Sequence, residues 1–237
     1  MRGWVPILVA LGLAVVGTVV AFAILDARDE ARLEELRAQR EEQRERRADE
    51  RFAAHRRESA SVLPAPLAGA AIGMRERELR EARPNVQTDP TPRDAAEKWL
   101  KENLASGSVA LYGFDDGRLS RIQVQSQIDP RGVGPHLTAM REEYGAPSGV
   151  YRCAPVGGIG TLRFVWRKSH LSVQDIFLFH TGGVAVNLYI APTPTVVSSL
   201  QMSQCRPIRS RAELEDLPIA TPDLLREHEI GRDPEGS

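Results

Sequence analysis

Hydrophobic patterning changes character three times along the chain. Residues 4–25, WVPILVALGLAVVGTVVAFAIL, form one unbroken apolar run. As a helix rising about 1.5 Å per residue it spans about 33 Å, enough for a bilayer core, so the pattern predicts a transmembrane anchor over residues 1–25 that contacts lipid through residues 4–25. Pro6 falls in the first turn, where its missing N–H costs little. The rival reading is a cleaved signal peptide, since Ala21 to Ala23 fits small-x-small cleavage; the length of the run and the single Arg2 before it stand against this.

From residue 26 to 60 the apolar pattern disappears. Arginines and carboxylates interleave in near balance among Ala, Gln and Leu, with no Gly or Pro, a composition that predicts helix. A heptad seam begun at Leu33 and Leu36 continues to Arg40, Gln43, Arg47 and Glu50, so a coiled coil fails after one heptad. The expectation is a solvated helical spacer, about 50 Å long. Homodimerisation through it is the less favoured alternative.

Residues 61–205 alternate. Ile122, Val124 and Ile128 interleave with Arg121, Gln123 and Gln125; Leu162, Phe164 and Trp166 with Arg163 and Arg167; Val184, Val186, Leu188 and Ile190 with Asn187 and Tyr189. Such alternation predicts antiparallel strands with one covered face. SVALYGF and LSRIQVQSQI flank an Asp-Gly turn at Asp115 to Gly117. TLRFVWR, LSVQDIFLF and GVAVNLYI follow with short connections. The alternation breaks around Asp175, which predicts a bulge there or a strand apolar on both sides. Helices are expected over 67–83, over 91–104 with Thr91 as N-cap and Pro92 first, and over 135–144. The expected fold class is α+β: a transmembrane helix and a long charged helix, then an antiparallel sheet of about five strands with helices packed on one face. Residues 206–237 read as a polar tail with a capping box at Ser210 and Glu213.

Charge alters this picture little. The formal net charge is −1, so nothing drives the chain toward nucleic acid. Near the anchor, Arg28, Arg32, Arg37 and Arg40 outweigh Arg2 and point to a cytoplasmic domain. A very short N-terminal tail and two cysteines suited to a disulfide point outward. The reading adopted is a single-pass bacterial inner-membrane protein with an extracytoplasmic domain, the cytoplasmic placement being the alternative. Cys153 and Cys205 have no CxxC partner. They form either one disulfide, closing a loop for about 4 kcal/mol, or two core thiols.

No catalytic constellation emerges. GGIG at 157–160 lacks GK[ST], leads into a strand and reads as a loop. Asp115 and Asp116 read as a turn, and His136, His170, His180 and His228 are scattered, so no metal or cofactor is expected. What remains is the polar sheet face carrying Arg121, Gln123, Gln125, Arg163, Arg167 and Tyr189, side chains suited to an acidic or peptide partner. The expected function is to bind or scaffold another envelope component without catalysis. The alternatives are an enzyme with a site near Gly157 to Gly160 and His170 or His180, and a small-ligand sensor with an apolar cavity.

The segment IGMRERELREARP carries Gly73, Met74, Glu78, Leu79 and Pro84 in the order found at the opening of bacterial envelope domains, and resembles the SmpA/OmlA lipoprotein type. Arg75 replaces the usual Thr and Arg83 stands where Gly is expected. YGAP at 144–147 resembles a helix ending of such domains. The resemblance covers about twenty residues. It implies two helices on an antiparallel sheet and a non-enzymatic assembly role in the envelope; there is no lipobox cysteine.

Overall fold

The computed structural model describes the backbone of residues 5–91, 98–156, 159–180, 182–210 and 213; for residues 5–31, 51, 155–156 and 159–160 it describes the backbone alone. The chain divides into two compact units, Met1–Arg51 and Phe52–Ser237.

The first unit is helical from Val5 onward, as part of α1 (Val5–Val62). Its described side chains, from Arg32 to Glu50, are almost all exposed; Leu33 and Leu36, where the trial heptad began, are 53% and 41% exposed. Glu42 and Arg46 form an i,i+4 pair at 2.6 Å, worth a few tenths of a kcal/mol. Among the described residues no helix is long and apolar enough to cross a membrane. That finding corrects the expected transmembrane helix and the single-pass inner-membrane placement; the part of α1 whose side chains are described, from residue 32 onward, is charged rather than apolar. Trp4 and the side chains of residues 5–25 lie outside the described residues.

The second unit is α+β. After the end of α1 come a 3-10 turn at Ala65–Leu67 and the helix α2 (Glu76–Ala82); then the strands β1 (Gln87–Thr88), β2 (Lys98–Asn103), β3 (Val109–Asp115) and β4 (Arg118–Ile128). A 3-10 turn at Pro130–Gly132 leads into α3 (Val133–Tyr144). The strands β5 (Gly149–Val156), β6 (Ile159–Arg167), β7 (Leu171–His180) and β8 (Gly183–Pro192) follow, then α4 (Thr193–Met202) and β9 (Arg206–Pro207). They form one nine-stranded sheet, ordered β1-β2-β3-β4-β8-β7-β6-β5-β9 and antiparallel at every pairing. The expected count of about five strands is therefore corrected to nine.

Two of the added strands, β1 and β9, are two-residue edges that carry no readable alternation. β5 contains Gly149 and Pro155. β2 lies where a helix was expected: residues 92–97, the start of that helix, lie outside the described residues, while Lys98–Asn103 pairs along its whole length with β3. Helix-forming side chains lose here to tertiary context, because an extended backbone sends Trp99 and Leu100 to opposite faces and both are buried. The Asp-Gly turn closes β3 onto β4, with Asp116 at φ 48 and Gly117 at φ 71, the left-handed pair that a tight hairpin needs.

The main core lies on one face of the sheet. Leu100, Tyr112, Ile122, Phe164, Trp166, Val173, Phe177 and Ile190 pack there against Val62, Leu67, Ile72, Leu79 and Leu137. Each fully buried large apolar side chain contributes about 1.5–3 kcal/mol. The opposite face carries a second, smaller cluster, in which Val165 and Ala191 meet Val196 and Leu200 of α4, with Tyr151 and Tyr189 beside them. Helices thus pack on both faces, which corrects the one-sided layout. The same cover explains Asp175: β7 pairs with β8 in unbroken register from Leu171 to His180, so there is no bulge, and residues 171–175 are buried on both sides.

Two contacts seat residues 52–62 of α1 on the core. Both Glu58 carboxylate oxygens accept backbone N–H groups from the β6–β7 turn: Ser169 at 2.7 Å, His170 at 2.7 Å and Leu171 at 2.9 Å. Gly73, at φ +92, passes so close to Phe52 that a Cβ would lie 2.6 Å from Phe52 Cβ. Gly73→Ala is therefore expected to cost about 2 kcal/mol or more from strain and overpacking together. Gly107→Ala, at φ +79 with nothing within 4 Å, should cost about 1 kcal/mol. Equal losses in urea denaturation would contradict the close approach.

Candidate functional site

Strand pairing fixes which side chains share a face. Gln123 lies opposite Tyr189, and Tyr189 opposite Gln174. Gln125 lies opposite Asn187, Asn187 opposite Ile176, and Ile176 opposite Arg163. Arg167 lies opposite Ser172, and Arg121 opposite Gly113. The structure thus brings Arg121, Gln123, Gln125, Arg163, Arg167 and Tyr189 to one face, but spreads them over two different environments.

Arg163 lies in the covered half. It is 9% exposed, and its guanidinium donates to Ser199 Oγ at 3.2 Å and to Ser203 Oγ at 2.8 Å. No carboxylate pairs with it among the described residues, and burial lowers its pKa below the ordinary value. Arg163 therefore ties the last turn of α4 to β6. Near it, the fully buried Gln174 has no hydrogen-bond partner for either amide atom among the described residues. Arg167 is exposed at the strand end and reaches Tyr151 Oη at 3.4 Å. Tyr189 packs beside the α4 cluster.

Arg121, Gln123 and Gln125 lie in the other half, on β4, and are partly exposed together with Asn187, Ile176 and Leu178. The Arg121 guanidinium sits 5.1 Å from the centroid of the Trp99 ring. Gly113 permits this stacking, since a Cβ there would lie 2.8 Å from Arg121 Cγ and 2.9 Å from the Trp99 ring. The result is a polar strip of amides with an arginine braced at one end.

One chemical pairing escaped the sequence reading. On the main-core face Asp175 is fully buried, and its Oδ2 lies 2.8 Å from His136 Nε2 in the first turns of α3. The His136 ring sits edge-on to Phe177. The available signal was a lone carboxylate inside an apolar strand. Burial pushes the Asp175 carboxyl above its ordinary value, against the opposing pull of His136. Burial is the largest single influence and works against charging His136, but the hydrogen bond and the charge of Asp175 together outweigh it and raise the imidazole pKa. A carboxylate-oriented imidazole is half of a general-base device; no hydroxyl or thiol joins the pair among the described residues.

The other candidates are dispersed. His170 and His180 bracket the ten residues of β7, about 33 Å apart along the strand, so they share no site. His170 is exposed near His55, and His180 is exposed beside Gln127. Gly157 and Gly158 lie outside the described residues. Among the described residues no group of three His, Cys, Asp or Glu side chains is placed to hold a metal ion. A further buried network is structural: Glu102 accepts from Arg83 Nε at 2.6 Å and from Tyr112 Oη at 2.9 Å, while Arg83 also caps the carbonyls of Pro66 and Ala68.

The His136 and Asp175 shifts fix the sign of a pH effect. Both groups have folded pKa values raised above their ordinary 6.5 and 3.8, so each stabilises the fold fully below that ordinary value and loses the contribution as pH rises through the folded one. The urea midpoint is therefore expected to fall as pH rises from about 6 to 9. In Asp175→Asn the hydrogen-bonding anion is gone and burial alone acts on His136, so the midpoint should stay level or rise over the same range. Parallel profiles for the two proteins would contradict the coupling.

No protein-family model matches the chain, and no curated protein matches its sequence. One solved structure that is similar is a DUF4309 family protein (YjgB) from Bacillus subtilis subsp. subtilis str. 168. The match has 12% identity and a TM-score of 0.40, covering 60% of this chain and 96% of that one. That structure is not of the SmpA/OmlA type, and a likeness of this size carries no argument about fold or function.

Proposed function

We propose that the unit formed by residues 52–237 is a non-catalytic binding module whose open sheet face, around Arg121, Gln123, Gln125 and Asn187, takes a peptide segment bearing carboxylate and amide groups. The observation that supports it is the contrast between the two halves of one face. Where α4 covers the sheet, Arg163, Ser172 and Gln174 are buried, Arg163 being held by Ser199 and Ser203 and Ser172 by Thr193. Over β4, β8 and the second half of β7 the same face keeps Gln123, Gln125, Asn187, Ile176 and Leu178 partly exposed in adjacent register.

Side-chain amides offer donors and acceptors together, and a guanidinium braced on an aromatic ring holds a positive charge beside them at little entropic cost. Recognition through the sheet edges is disfavoured, because β1 and β9 are two residues long and present little backbone for an added strand. The His136–Asp175 pair is read as structural in this account, since Asp175 is fully enclosed and the imidazole packs against Phe177.

A photo-crosslinking residue at Gln125, expressed in the cells that make the protein, should yield one discrete adduct. The same residue at exposed Gln201 of α4 should yield none, and Arg121→Glu should abolish the Gln125 adduct by reversing the charge offered to the partner. Adducts of equal yield from Gln125 and Gln201, or none from either, would sink the reading.

A further inference from the structure

Cys153 and Cys205 are joined by a disulfide that closes a separation of 52 residues. Immediately beside it, β5 and β9 pair antiparallel with Arg152 opposite Arg206 and Tyr151 opposite Pro207. Carried one residue further, the same register sets Cys153 against Cys205. The covalent bond thus pins two arginines directly across from each other. Like charges in that position destabilise a strand pair, and β9 has only two residues with which to resist. Both arginines are exposed, and neither is ion-paired with a carboxylate among the described residues.

A pocket of about 440 Å³ opens at this point, lined by Arg152 and Arg206 together with Ala154, Gln204, Pro207 and Glu213. Its walls are partly apolar, and the two guanidinium groups are its cations. Glu213 brings one opposing charge, with its carboxylate turned to local partners: Oε2 accepts the Arg209 N–H at 3.3 Å and Oε1 lies 3.4 Å from Ser210 Oγ. Among the described residues the pocket therefore keeps an excess of one positive charge, and the disulfide holds its two donors in register.

We propose that this pocket binds a small oxyanion of charge −2, a phosphate group either free or as a small monoester, clamped between Arg152 and Arg206. Guanidinium forks match the tetrahedral oxyanion in geometry, and a bound dianion converts the repulsive pair into two charge-assisted contacts. The site lies at the β5–β9 edge, away from the peptide-binding strip on β4 and β8, so it stands or falls independently of that reading.

The test is isothermal titration of the full chain with inorganic phosphate and, separately, with glycerol 3-phosphate, each at ionic strength matched with chloride. Saturable one-to-one binding of at least one of them is expected, and the tighter of the two tells a free anion from an ester. Arg152→Gln and Arg206→Gln should each weaken binding about tenfold or more. Glu213→Gln should tighten it, and Arg131→Gln, an exposed arginine elsewhere, should leave it unchanged. If neither anion saturates, or if Arg152→Gln and Arg131→Gln bind alike, the site does not exist.

Discussion

Residues 161–166 of β6 and 171–175 of β7 are covered on both faces, and that constraint shapes the rest of the second unit. A polar side chain placed there must find a partner or remain buried without one, at a cost of about 1–3 kcal/mol. Asp175 meets it in part, its Oδ2 pairing with His136 on the main-core side while Oδ1 has no partner among the described residues. Arg163 meets it in part through Ser199 and Ser203 on the α4 side, its Nε being left unpaired among the described residues. Gln174, fully buried between them in sequence, has neither amide atom paired among the described residues. The cost of covering both faces is offset by the large apolar side chains of the main core, Phe164, Trp166 and Phe177 among them.

Residues 52–62 of α1 are seated by the same strand pair. The turn between β6 and β7 leaves three backbone N–H groups without strand partners, and Glu58 accepts all three. Three N–H groups converging on one carboxylate form an anion nest that is filled from within the chain. Phe52 is set one helical stretch earlier, where only a glycine at position 73 can pass it. The position of the helix end, the loop that follows it and the lid over the main core are therefore linked to a turn more than a hundred residues away.

Elements whose pattern is local were legible in the sequence. The Asp115 to Gly117 turn is written in residue types that tolerate positive φ, and β4 from Arg121 onward, β6 and β8 are written mostly in alternation, with Val165 the apolar exception on the polar side. The polar face could be listed from that alternation because a period of two leaves no choice of side. What covers the face could not be listed. α4 begins with Thr193 and Pro194 and contains the β-branched run Thr195, Val196 and Val197, poor helix formers; its one cue was the i,i+4 spacing of Val196 and Leu200, the two residues that bury it. β2 misled in the opposite direction, since its helix-forming residues become a strand by pairing with β3. Asp175 was noticed as a break in pattern, but its partner lies 39 residues away on another element.

One sheet face is divided, enclosed under α4 and open over β4, β8 and the second half of β7. The native cysteines are joined to each other, which leaves introduced thiols as clean reporters. Maleimide labelling of Gln125→Cys and Gln174→Cys, each compared with its own rate in urea, measures the division directly. The thiol at 125 should react readily in the folded protein, while the thiol at 174 should be protected until the fold opens. Equal protection at both positions, or ready labelling at 174, would contradict it.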